Sequence, residues 1–143
     1  MWTVEHSIVT NAAPAAIHSL FADVATWPEW NKGIEWVTLD GPFAAGTHGQ
    51  MKVPGQEPFA FRLIAVGPDG FEDETPIPDA GVVVRVRHTI DTSAGRTRVA
   101  YGVTIDGPQA DALGPVLGPE ITADFPAVLE ALVARAEALA APA

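Results

Sequence analysis

The chain has 143 residues, no cysteine and a net charge of −10, a length that fits one domain and a composition that excludes disulfides, thiolate metal sites and thiol catalysis. The acidic balance opposes binding to nucleic-acid phosphates and to anionic membrane surfaces. No apolar run approaches the ~20 residues of a membrane span, and the segment MWTVEHSIV has no basic flank, so a cytoplasmic protein with no membrane insertion is expected.

Trp2–Val9 alternates apolar with polar residues and predicts a half-buried strand. Pro14 suits a first helical turn, and Ile17, Leu20, Phe21 and Val24 follow on one helical stripe. Trp27-Pro28 is expected to end or interrupt that helix. Strands are then expected at Ile34–Leu39, Thr47–Val53, Phe59–Val66, Gly70–Ile77, Val82–Ile90 and Thr97–Ile105. They are divided by Gly41-Pro42, Pro54-Gly55, Gly67-Pro68-Asp69-Gly70, Pro78-Asp79-Ala80-Gly81 and Ser93-Ala94-Gly95. Such short breaks favour sequential antiparallel hairpins.

In the last hairpin a four-residue loop over Thr92–Gly95 sets Asp91 against Arg96. Val82, Val84, Val86, His88 and Ile90 then face Ile105, Val103, Tyr101, Val99 and Thr97 on an inner, concave side. Arg85, Arg87 and Arg98 fall on the other side, and with Arg96 they read as a solvated face. After Gly107-Pro108 a helical stripe runs through Leu113, Leu117, Ile121, Phe125, Val128, Leu129, Leu132, Val133, Ala136 and Leu139. A clean helix is expected from Phe125 to Ala140, with Thr122 or Asp124 as its cap. Pro115 and Pro119 predict a kinked or broken segment before it, with the Gly114–Pro119 stretch bending the backbone near a cavity mouth.

His88 and Tyr101 are the leading site candidates. Both fall on the concave face of valine-rich strands beside Val86 and Val99, with Tyr101 expected to lie diagonally to His88. There an imidazole and a phenol orient a ligand, move a proton next to a carbonyl, or stand as satisfied core groups. His6, on the more apolar face of the first strand, is a further candidate. No spacing supplies further metal ligands, so neither a metal nor a cofactor is expected. Trp27 and Trp30 either roof an entrance or pack the short helical turn. Trp30, Trp36, Met51, Leu117 and Ile121 complete the candidate ligand lining. Glu72, Asp73 and Glu74 with Asp69 and Asp79 read as a solvated acidic patch, although Asp73 alternates with Phe71 and Thr75.

Several words of the sequence resemble one superfamily. Ala13-Pro14-Ala15-Ala16-Ile17 resembles the alanine–proline helix opening of the START-like proteins, which include polyketide cyclases and dehydratases. The stretch from Phe21-Ala22-Asp23 through Trp27-Pro28-Glu29-Trp30-Asn31 is similar to the segment that follows that helix. Gly41-Pro42-Phe43-Ala44-Ala45-Gly46-Thr47 and Ala136-Glu137 also match. His18 stands where many relatives have tryptophan, and Lys32 where proline often follows the asparagine. The resemblance implies an α+β helix-grip fold over a single domain, residues 1–143. Its curved antiparallel sheet of about seven strands would surround a long C-terminal helix, with two short helices after the first strand. It also implies an internal pocket, and the expected function is binding or carriage of a small hydrophobic or amphipathic molecule of lipid, polyketide or aromatic type. Two alternatives stand beside it: a cyclase or dehydratase using His88 and Tyr101 as acid and base, and a protein-interaction module of the chaperone-cofactor kind. A homodimer is compatible with the sequence.

Overall fold

Period-two patterning builds one sheet. The computed structural model describes residues 1–92 and 95–140. Its strands are β1 (Trp2–Thr10), β2 (Trp36–Leu39), β3 (His48–Lys52), β4 (Phe59–Gly67), β5 (Gly70–Ile77), β6 (Val82–Asp91) and β7 (Thr97–Asp106). They pair antiparallel in the order β1-β7-β6-β5-β4-β3-β2. Neighbours from β2 to β7 are sequential, as short turns require, and β1 closes the order by pairing with β7. Helices α1 (Pro14–Ala22) and α2 (Trp27–Trp30) follow β1, and α3 (Ala110–Thr122) and α4 (Phe125–Ala140) follow β7. This is the helix-grip arrangement. Among the described residues no helix is long and apolar enough to cross a membrane.

The last hairpin keeps the expected faces but slides by two residues. Asp91 pairs with Arg98 rather than Arg96, and His88 lies directly opposite Tyr101 rather than diagonal to it. The connection is longer than a four-residue loop, and Ser93 and Ala94 of the expected turn lie outside the described residues. An even shift leaves every side chain on its own face, whereas an odd one would have turned the apolar set outward. On the outer face Arg85 and Arg62 both reach Glu74 (2.9 and 3.0 Å), and Arg98 reaches Glu5 (2.7 Å). The solvated reading of Arg85 and Arg98 therefore holds.

Two helix boundaries differ from expectation. Trp27-Pro28 does not end α1, which stops at Ala22; after a 3-10 turn at Val24–Thr26 the pair opens α2. Proline is harmless there because a first-turn N–H has no intrahelical acceptor. Likewise Pro115 and Pro119 stay inside α3, and the interruption comes later, at Ala123-Asp124. The Thr122 hydroxyl donates back to the Gly118 carbonyl (3.0 Å) and so does not cap α4.

Gly114 and Gly118 explain why α3 lies where it does. Spaced four apart, they share one helix face, and a Cβ on either would overlap the Trp2 side chain. The two glycines form a cradle for the Trp2 indole, which brings α3 down onto β1 and β7.

The interior divides into two apolar clusters. The larger gathers Ile17, Phe21, Trp27, Leu63, Phe71 and Leu132 with their neighbours between the sheet, α1, α2 and α4. The smaller gathers Val82, Val84, Val103, Ile105 and Ala110 under α3. Phe125, at the α3–α4 junction, packs against both.

Candidate functional site

Across its concave face the sheet sets a row of rings, of which Phe71 and Tyr101 belong to the larger cluster. His6 pairs with Tyr101, Tyr101 with His88, and His88 with Phe71, across β1, β7, β6 and β5. The His88 ring stacks on Phe71 (centroids 3.9 Å, 9° between planes) and meets Tyr101 edge-on (4.4 Å, 73°). Phe21 closes it from α1 at 5.8 Å. Gly70 makes the stacking possible: its φ of +133° and the close approach of the His88 carbonyl leave no room for a side chain.

Burial pushes the His88 imidazole down to about 3, against weaker opposing contacts with the Phe71 and Val86 backbone. Its Nδ1 lies 3.4 Å from the Phe71 carbonyl oxygen. The ring therefore stays neutral at ordinary pH and is enclosed by aromatic neighbours. Tyr101 is also buried, 3% exposed, with Phe125 edge-on at 5.5 Å. Burial, and then the charge of Asp73, holds its phenol above the usual tyrosine range, so it remains a proton-bearing donor. The hydroxyl makes no hydrogen bond to protein among the described residues.

Asp73 is the residue the sequence reading passed over. It stands one row from His88, paired with Val86 on β6 and Leu63 on β4, which places it on the concave face. Its side chain is half-buried by exposed surface and yet closely surrounded by protein, as expected of a carboxyl set back in a groove. Burial, with the neighbouring Glu72 carboxylate adding to it, pushes Asp73 up to about 7. It has no hydrogen bond or ion pair among the described residues. The available signal was its alternation with Phe71 and Thr75; the acidic run around it masked that signal.

This placement has a measurable cost. The ordinary value for Asp73 is 3.8 and the folded value about 7, so across that window the unfolded chain binds fewer protons than the folded one. Stability attributable to this group falls as pH rises through the window and is flat above it. Asp73→Asn is expected to gain on the parent protein by on the order of 1–2 kcal/mol between pH 5 and pH 8. Urea unfolding at the two pH values measures it; a pH-independent difference would place the carboxyl in bulk water.

Part of the concave face beside α3 is incompletely covered. That helix rests on β1 and β7, while the inward residues Met51, Phe59, Asp73, Thr75 and Val86 stay half-buried. Leu117, Ile121 and Phe125 are also half-buried and pack against the smaller cluster from the helical side. His6 is half-buried at the β1 end, 6.2 Å from Phe125. Val99, by contrast, is wholly buried in the larger cluster. Trp36 requires a correction: it pairs with Lys52 on the outer face and is 38% exposed, while its neighbour Val37 points inward. A separate depression of about 310 Å³ near Asn11, Pro14 and Arg96 lies at the strand ends, with Arg96 its one ionisable side chain.

The two tryptophans of α2 are both buried but differ in their N–H groups. Trp27 Nε1 donates to the Leu20 and Phe21 carbonyls at the end of α1 (3.2 and 3.1 Å), whereas Trp30 Nε1 is buried with no acceptor. Trp27→Phe is expected to lower stability by about 2–3 kcal/mol, since it removes ring volume and leaves helix-end carbonyls unpaired. Trp30→Phe is expected to lose at least about 1 kcal/mol less, because it also removes an unsatisfied donor. Equal losses on thermal unfolding would show that the Trp30 N–H is satisfied in solution.

The comparisons with known proteins agree with this architecture. Ara h 8.0201 superposes with a TM-score of 0.76 at 12% identity, over 95% of this chain and 97% of that one. Norcoclaurine synthase from Thalictrum flavum gives 0.69 at 16%, over 92% and 83%. Protein Ms6760 from Mycobacterium smegmatis gives 0.65 at 23%, over 96% and 92%. No curated protein matches the sequence. The family model described as polyketide cyclase / dehydrase and lipid transport matches residues 1–137, and the chain belongs to that family.

Proposed function

We propose that this protein binds or carries a small hydrophobic or amphipathic molecule in the groove between α3 and the concave face of the sheet. The observation that carries this reading is a set of inward-facing side chains that packing leaves half-buried: Asp73, Val86 and His6 on the strands, with Leu117, Ile121 and Phe125 across from them. An apolar groove with a few convergent polar groups is the usual form of a small-molecule site. Tyr101 and Asp73 would supply those groups; Trp30 is buried in the larger cluster, and Met51 is half-buried against it.

The acid–base alternative built on His88 is less well supported, because an imidazole held near 3 stays neutral at ordinary pH and is too weak a base to accept a proton readily. Among the described residues no large apolar patch is seen that would favour the interaction-module alternative. The exposed large apolar residues Met1, Val9, Trp36, Val116 and Leu139 come from β1, β2, α3, α4 and the chain start, and single exposed side chains of this kind need no partner.

The test is titration with the neutral dye Nile red, alongside native mass spectrometry of protein purified from its own host. Saturable enhancement at one dye per chain is expected, with binding at least tenfold weaker after Val86→Phe fills the groove. Absence of saturable binding, or full binding by that variant, would remove the groove as the site.

A further inference from the structure

The ionisable side chains of the concave face are unevenly distributed. Among the inward positions of the seven strands Asp73 is the one carboxylate, and no lysine or arginine stands there. Arg62, Arg85, Arg87 and Arg98 project from the opposite face, Lys52 pairs with Glu35, and Arg135 pairs with Glu29 on α2. Titratable groups near Asp73 include Glu72 on its own strand, His88 one row away on β6 and Tyr101 on β7, while His6 lies farther off on β1. From the helical side Ala110, Leu113, Leu117, Ile121 and Phe125 pack on the smaller cluster.

A carboxylate ligand entering this groove would lose its water and meet no cation, and would stand near a second carboxylate. That is a heavy desolvation cost with no compensation. A cationic ligand meets the reverse situation: an unpaired carboxyl already set back from water, in surroundings where charge pairing is stronger than at the surface.

Resting on the ligand-binding reading above, we propose that the groove takes an apolar molecule bearing a basic nitrogen, whose ammonium pairs with Asp73, and discriminates against carboxylates of the same size. Tyr101 keeps its proton and serves as the neighbouring donor to an oxygen on the same ligand. Because the ammonium pairs with the ionised acid, occupancy drives a proton off Asp73 whenever the free protein holds one. Affinity for the amine then rises with pH through the titration of that carboxyl.

Calorimetric titration with three matched probes tests this: 4-phenylbutylamine, 4-phenylbutanol and 4-phenylbutyrate. The amine is expected to bind tightest and the carboxylate weakest. Amine affinity is expected to increase about tenfold from pH 6 to pH 8, the change in the ionised fraction of a single group near 7. Asp73→Asn should abolish both the amine preference and the pH dependence, and Asp73→Ser should repeat the result if the asparagine variant folds poorly. Binding of the alcohol without preference for the amine would overturn the inference and leave the groove intact. An amine preference that survives in Asp73→Asn would assign it to the acidic surface and also overturn the inference. Failure of all three probes to bind would remove the groove reading and this inference together.

Discussion

Phe21→Ala is expected to lower the unfolding free energy by about 3–5 kcal/mol and the melting temperature by roughly 10 °C. Phe21 has no exposed surface and contacts Phe71 at 5.1 Å, His88 at 5.8 Å and Tyr101 at 6.4 Å. Truncation would therefore leave a void among side chains held by three different strands, which cannot collapse together. Since a domain of this size is stable by only about 5–15 kcal/mol, the loss is a large share of the total. Urea denaturation measures it through the midpoint at unchanged slope. A loss under about 1 kcal/mol would mean that α1 is not seated on the sheet as described.

Gly118→Ala is expected to destabilise the protein by about 2–3 kcal/mol, although alanine favours an isolated helix by about 1 kcal/mol over glycine. The sign turns on Trp2, whose indole occupies the space a Cβ would need. In a Trp2→Ala background the same substitution should become neutral or stabilising, and this reversal is the decisive observation. If Gly118→Ala stabilises the parent protein, α3 does not sit on the Trp2 ring.

What the sequence made legible follows from the kind of rule involved. Strand faces depend only on parity, so His6, His88 and Tyr101 were placed on the right face even with the last register two residues off. Trp36 failed for the same reason: β2 is four residues long, and nothing within it says which parity β3 will select. In sequence the glycine cradle looks like a bend, because its meaning depends on a partner more than a hundred residues away in β1. Asp73 was legible by alternation but lost to composition, since a local acidic run says nothing about the pleat beneath it. The neutral state of His88 depends on burial among Phe21, Phe71 and Tyr101, contacts that no pattern within β6 announces.

The chain contains a single tyrosine, and it stands at the centre of the ring row. Tyr101 has the edge or face of His88, Phe125 and Phe21 within 6.4 Å, and its phenol is sensitive to the charge of Asp73. Selective isotopic labelling of tyrosine therefore gives one ring signal that belongs to the site alone, shifted by the magnetic currents of its neighbours. That signal would report the ionisation of Asp73, the loss of α1 packing and, if the proposed site is occupied, a ligand beside Phe125, without any change to the protein.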